Sequence, residues 1–598
     1  MQMRSLLYSL AFAALGIGVA VPVQGQNGPV PIVRQDCAYS DIRTDAPESV
    51  ETAPSRIAAG SYLSAHHACL FADYRTAADR YALALAEDPR NPVLMERAAM
   101  AYLGLGQVDR AAAAARELAA DSGSNSVAGM VLLAEAFKRS DFQTVLEVLE
   151  ANGQETLIDG LLAAWAKLGQ GRMSEALEGF DATVARQGME VFGLMHKALA
   201  QTLVGDYEGA EAILSDLDRR GELGRDGIVA FAQVLDQLGR SSEALDLLER
   251  SFGGALDPKV ARLKSQLADE NAAGFDAVRN ATDGAAEVYL HIANLLQMDG
   301  SVGAHHILKY SRVAEYLNPD NVDAMLLSAD LLVMLNRYEL ATETYNRVPR
   351  DHHSFPTAEI GRADALRASG RTEAAVEVLE QLAEVAPEAP DVRIALGHTF
   401  RGLERYDMAG DAYDAAMALY EESGDDPSWR LYFVRGITHE REGRWEQAEA
   451  DFRGALELEP GEPDVLNYLG YSFVEMGINL DEALAMIKEA AAARPEAYYI
   501  IDSLGWAHYR MGRYEEAVMN LERAVELGPV DPVVNDHLGD AYWAVGRRFE
   551  AEFQWRRALS FDPEEEDARR IRRKLDVGLD AVLEEESVSS LEPAVKDG

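Results

Sequence analysis

Three pairs of adjacent histidines, His66-His67, His305-His306 and His352-His353, and two cysteines, Cys37 and Cys69, are the residue types here best suited to hold a metal. Neighbouring side chains on a helix diverge by about 100°, and no Cys or carboxylate stands at the spacing that completes a zinc set. The histidines therefore read as ordinary helix-surface residues. A glycine-rich phosphate loop, a GxSxG nucleophile elbow and an HExxH zinc helix are all missing. Asp and Glu number 100 against 56 Lys and Arg, so two neighbouring carboxylates carry no catalytic information. Neither a metal, a cofactor nor an enzymatic reaction is expected. The chemistry that remains is recognition, and the residues that could do it form a stripe: Asn467 and Tyr471; Tyr499, Asp502, Trp506 and Tyr509; Asp536, Asp540 and Trp543. Aromatic rings interleaved with Asn and Asp offer an extended peptide flat apolar contact and acceptors for its backbone N–H groups. Large rings also pack well between helices, and spacing alone leaves both readings open for Trp506 and Trp543.

The stripe recurs because the chain repeats. Leu469-Gly470, Leu504-Gly505 and Leu538-Gly539 follow one another at steps of 35 and 34 residues. Downstream of each come Ala483, Ile487, Ala490 and Pro495; Ala517, Leu521, Ala524 and Pro529; Ala551, Trp555, Ala558 and Pro563. This period and pattern resemble the tetratricopeptide (TPR) repeat. In the copy starting at Tyr498, residues Ile501, Leu504, Gly505 and His508 share one side of a first helix. Gly505 lets a second helix approach closely, Gly512 ends the first helix, and Pro529 stops the second. No single copy buries its apolar stripe alone, so copies must stack. The fold expected is all-α, a right-handed superhelical solenoid of about 13–14 TPR-like helix pairs with a C-terminal capping helix.

In that register, units start near Ala58, Pro92, Ser126, Leu157, Val191 and Arg225, giving an N-terminal TPR block over 58–250. Register lapses in an irregular region over 251–321, the candidate for a bend or altered unit between two lobes, with Gly253-Gly254 and Asp257-Pro258 as breakers. A C-terminal TPR block runs over 322–563, with units near Val322, Pro356, Pro390 and Trp429 before the clear copies. Residues 564–585 read as one capping helix with acidic residues in its first turn, and 586–598 as a disordered tail.

The net charge of −44 is spread along the array. It repels phosphate backbones and argues against nucleic acid. The basic start and the apolar run over 5–21, followed by Val23-Gln24-Gly25, read as a signal peptide over 1–25. Retained, the same run would tie the protein to a membrane, the one route to membrane association. An extended lead covers 26–57. In an exported chain, Cys37 and Cys69 are candidates for one disulfide stapling that lead to the array, contributing about 2–4 kcal/mol.

Further along, Leu466-Asn467-Tyr468-Leu469-Gly470-Tyr471-Ser472, Asp502-Ser503-Leu504-Gly505-Trp506, Asn535-Asp536-His537-Leu538-Gly539-Asp540 and Gln554-Trp555-Arg556-Arg557-Ala558 resemble a group of long exported TPR proteins of Gram-negative bacteria. Gly60-Ser61-Tyr62-Leu63 is similar to their first repeat. The resemblance implies a periplasmic, non-catalytic adaptor that binds a carboxyl-terminal processing protease or its substrates. A scaffold for outer-membrane assembly or polysaccharide export is the alternative. Those adaptors are typically lipoproteins, and here Cys37 follows Val33-Arg34-Gln35-Asp36, which is not a lipidation sequence.

Overall fold

The computed structural model describes residues 56–116, 126–151, 156–186, 189–252, 258–268 and 274–589. Among them the chain is all-α, with thirty-one helices and no strand. Fourteen helix pairs, a lone helix (Pro258–Ala268) and two terminal helices make up the whole. Helix starts agree with the repeat register at Pro92, Leu157, Arg225, Val322, Pro390, Trp429, Pro463, Tyr498 and Pro532. Local chemistry explains the starts. Asn91 accepts from the backbone N–H of Val93 and Leu94, Asp531 does the same for Val533 and Val534, and in both helices a proline follows at the first position, where no N–H is needed. Gly512 closes the helix Tyr498–Arg510 at φ +75°, a conformation that costs a residue with a Cβ.

In the last three pairs the two helices meet at a glycine. A Cβ on Gly505 would lie 2.6 Å from Leu521 Cγ, one on Gly470 2.8 Å from Ile487 Cγ1, and one on Gly539 2.4 Å from the Trp555 ring. Ala517, Leu521 and Ala524 face this contact fully buried.

The chain forms two compact units, which among the described residues are 56–399 and 400–589. The division falls between Thr399 and Phe400 and not at the irregular region over 251–321. The reason lies inside the first unit. After the lone helix, Ala281–Asp299 packs on Leu157–Gly169 and Glu190–Leu203, and Ala304–Leu317 packs on Pro92–Gly104 and Val127–Lys138. These partners are the first helices of the second to fifth pairs, the face that lines the groove of a TPR array. Gly284 sits against the Trp165 ring, where a Cβ would come within 2.3 Å. Thr282 Oγ1 donates to the Phe137 carbonyl at 3.0 Å, and Tyr316 donates to Asp109 at 2.6 Å. One continuous apolar core joins residues 65–180 to residues 278–365.

A buried polar chain crosses this seam. Trp165 Nε1–H donates to His196 Nδ1 at 3.2 Å, so His196 Nε2 carries the ring proton and donates to His291 Nδ1 at 3.3 Å. Burial drives the pKa of His196 well below the ordinary imidazole value, with His291 adding to the effect. The neutral ring is the one the seam accepts.

Two expectations at the chain ends change. The single capping helix over 564–585 is two helices, Glu565–Val577 and Leu579–Ser589, because Gly578 turns the chain at φ +87° under Trp543. The second helix also extends past 585 into the stretch read as a disordered tail; 590–598 lie outside the described residues, as do the signal peptide and most of the lead, including Cys37.

Because each unit rests on its neighbours, damage should stay local. Gly505→Val should destabilise its pair by about 1–3 kcal/mol through overpacking. Amide exchange should accelerate across 498–527 and stay unchanged in 157–203.

Candidate protein-binding groove

The last three pairs and the terminal helices place the stripe residues in columns. Tyr471, Trp506 and Asp540 occupy equivalent positions, as do Asn467, Asp502 and Asp536. The columns continue: Lys574 lies 34 residues beyond Asp540 and bonds it directly. Helix Glu565–Val577 is thus in phase with the first helices, and it brings Arg570 and Lys574 against two aspartates. Lys574 Nζ lies 2.7–2.9 Å from all four carboxylate oxygens of Asp536 and Asp540, with its side chain 0% exposed. Burying an ammonium costs several kcal/mol, and only such complete pairing offsets it. Burial pushes the Asp536 carboxyl up, while Lys574 opposes that shift. Arg570 stands 3.6 Å from Asp540 and reaches outward to Glu586 at 2.7 Å.

One step earlier, Asp502 is fully buried and lies 3.0 Å from His537 Nδ1. Burial alone would lower the pKa of His537; the Asp502 carboxylate outweighs it and the net shift is upward. Trp506 is stacked between His537, at 3.9 Å and 9°, and Tyr509, at 4.7 Å and 8°. An imidazolium held against an indole face adds a cation–π attraction to the stack. The Trp506 Nε1–H donates to Glu475, which also pairs with Arg510.

A concavity of about 410 Å³ opens over these columns. Five of the nine stripe residues line it: Tyr471, Trp506, Tyr509, Asp536 and Asp540. Pro532, Val533, Pro563 and Leu583 add apolar wall, and Glu475, Arg510, Asp567, Arg570 and Glu586 add charge. The other four lie elsewhere. Asp502 is beneath the floor. Tyr499 donates to Asp464 at 3.0 Å and ties two consecutive pairs together. Trp543 packs on Trp555 at 5.3 Å, with the Arg548 guanidinium 3.6 Å over its ring. Asn467 is buried with both side-chain polar atoms unpaired. Trp506 itself is only 9% exposed, so both its faces serve packing and only an edge meets the cavity. Residue spacing missed His537, Arg570 and Lys574; stepping 34 residues on from Asp536 and Asp540 would have found the last two.

Because the pKa of His537 is raised, the stabilisation from its pair with Asp502 is fully present below the ordinary imidazole value near 6.5 and fades as pH rises through the folded value. In a histidine-selective NMR titration, His537 should stay protonated above pH 6.5. In Asp502→Asn its midpoint should fall, because burial is then opposed only by the more distant carboxylates of Asp536 and Glu475.

Comparison with known proteins supports the repeat reading. TPR family models match residues 356–399 and, in overlapping windows, 433–498, 469–532 and 503–566. A TPR repeat-containing protein of Pseudomonas aeruginosa is 26% identical over 178 residues, covering 29% of this chain and 29% of that protein. Cellulose synthase operon protein C of Pseudomonas fluorescens is 31% identical over 159 residues, 26% of this chain and 12% of that protein. The match thus spans less than a third of either relative's own length. Among solved structures, the APC/C hetero-tetramer Cut9–Hcn1 covers 87% of this chain and 96% of its own, at 16% identity and a TM-score of 0.38. Residues 356–399 and 433–566 of this chain are tetratricopeptide repeats.

Proposed function

We propose that the protein is a non-catalytic scaffold that holds a protein partner in the groove of residues 463–589, and that it serves in the periplasm as an adaptor for a carboxyl-terminal processing protease or its substrates. One contrast supports the choice of groove. The first helices of the N-terminal pairs are covered by the chain's own helices Ala281–Asp299 and Ala304–Leu317, whereas those of the last pairs line an open concavity. A repeat array whose groove face is free is the part that can receive another chain.

The lining suggests the partner's character. Glu475, Asp536, Asp540, Asp567 and Glu586 outnumber Arg510 and Arg570, in a chain of net charge −44. A segment with apolar side chains and a Lys or Arg would complement walls of Pro532, Val533 and Leu583 flanked by carboxylates. The second reading, a scaffold for outer-membrane assembly or polysaccharide export, draws on the similarity to the cellulose synthase operon protein.

Affinity capture with a tagged chain lacking residues 1–25, from native envelope extract, separates the two. A processing protease among the captured proteins, lost when the half-exposed groove residues are altered by Asp567→Lys and Leu583→Glu, supports the adaptor. Both substitutions avoid the packed rings, so helical content should be retained while affinity falls at least tenfold. Export or assembly components in place of the protease would favour the second reading. A partner retained at full affinity by the double variant would overturn the groove.

A further inference from the structure

Helix Ala281–Asp299 meets the groove face of the first unit along one side, where Gly284 lies under the Trp165 ring and His291 reaches His196. Steps of four and three through the buried Val288 keep these residues on one face. The donors all point one way. Trp165 donates to His196 Nδ1, His196 Nε2 donates to His291 Nδ1, and the remaining His291 N–H, on Nε2, faces Glu287 Oε2 at 3.7 Å. Glu287 Oε1 accepts from Asn321 Nδ2 at 2.9 Å, so the chain ends on the N-cap of Val322–Met334. A further proton has two places to go. On His196 Nδ1 it would confront the Trp165 N–H, and on His291 Nδ1 the His196 N–H. We propose that this histidine pair is a proton lock: Ala281–Asp299 stays seated while the pair is neutral, and an added proton breaks the chain and unseats the helix. Unseating uncovers the groove face of Leu157–Gly169 and Glu190–Leu203.

The surrounding charges set how firmly the lock holds. Asp226 of Arg225–Gln237 faces both His291 and Glu287. Lys259 of Pro258–Ala268 stands 3.1 Å from Asp323 and 3.6 Å from Asp226, and Lys259, Asp323 and Asp283 also face Glu287. Asp159 of Leu157–Gly169 and Tyr310 of Ala304–Leu317 face Tyr289. Lys197, next to His196 in sequence, pairs with Asp181 at 2.6 Å. On Val127–Lys138 the charged groups have other partners, Glu135 with Arg139 and Lys138 with the Leu317 carbonyl. Burial lowers the pKa of His291, as it does that of His196, against the pull of Asp226. Burial, aided by Asp226, pushes Glu287 up to about 8. Near neutral pH that carboxyl is uncharged and offers an imidazolium no counter-ion.

Because both histidine values are lowered, the stabilisation they give the seam is fully present above the ordinary imidazole value near 6.5 and is lost as pH falls toward the folded values. Because the Glu287 value is raised, its share is fully present below the ordinary 4.5 and is lost as pH rises through about 8. Above about 6.5 only the carboxyl's share changes; below it, two rings lose against one carboxyl that gains. The seam is therefore tightest near that value.

Hydrogen exchange between pH 5 and pH 9, with rates corrected for the chemical step, tests the lock. In the native protein, exchange over 281–299 and 157–203 should be slowest near pH 6.5, and 463–476 should not follow that curve. Glu287→Gln can keep the bond from Asn321 and cannot ionise, so the acid arm should stand alone, with exchange over 281–299 about tenfold or more faster at pH 5 than at pH 7. His196→Gln with His291→Gln, which cannot take the added proton, should abolish the acid arm. Exchange that ignores pH in Glu287→Gln, or an acid arm retained by the histidine double variant, would overturn the proposal. If a variant fails to fold, histidine-selective NMR on the native protein decides. The midpoints of His196 and His291 should both lie below 6.5, and an ordinary midpoint at either ring would sink the lock.

Discussion

The structure depends on how closely two helices of one pair can approach. At Gly505 and Leu521, Gly470 and Ile487, and Gly539 and Trp555, the second helix sets a large side chain where the first has no Cβ. The same arrangement joins Gly436 to Phe452, and between consecutive pairs Gly361 lets its helix approach Tyr345 of the preceding one. Each contact removes a large apolar side chain from water, at roughly 25 cal/mol per Å² buried, and sets the spacing at which the next pair must stack. A chain built this way has a groove as a by-product of its packing, because first helices align on one side.

What the protein does with that groove differs along the chain. In the unit of residues 56–399 the groove face is part of the core. Trp165, His196 and His291 continue a polar chain through it, and Val288, Tyr289 and Leu290 are fully buried there. Such a seam is not a weak cover, since opening it would expose the one core that joins residues 65–180 to residues 278–365. In the unit of residues 400–589 the groove face is kept open but stiff. Asp502 with His537, Lys574 with Asp536 and Asp540, and Arg570 with Glu586 brace its floor and far wall. Stiffness favours a recognition surface, because side chains already fixed lose little entropy when a partner arrives.

The repeats were legible in the sequence because their rules are local. A Leu-Gly pair, a stop glycine and a proline at constant spacing specify helix, turn and approach without reference to anything distant. The fold-back was not legible. Ala281–Asp299 meets Leu157–Gly169 across more than a hundred residues, and no periodicity records that Gly284 belongs under Trp165. The candidate site was legible in part. Spacing placed Tyr471, Trp506, Tyr509, Asp536 and Asp540 on one face, but a face does not say which rings are spent on one another. Trp506 is stacked on both sides, Tyr499 bonds Asp464, and Trp543 lies under Arg548. The stretch read as one capping helix from its acidic first turn is two, because Gly578 turns the chain at φ +87° between Val577 and Leu579.

The central claim is that the open C-terminal groove, and not the filled N-terminal one, receives the partner. Hydrogen exchange with and without the captured partner tests it most directly. The account predicts protection concentrated in the first helices Pro463–Met476, Tyr498–Arg510 and Pro532–Ala544 and in Glu565–Val577, with 92–203 unchanged. Protection of Pro92–Gly104 or Leu157–Gly169, with the C-terminal first helices unaffected, would contradict it.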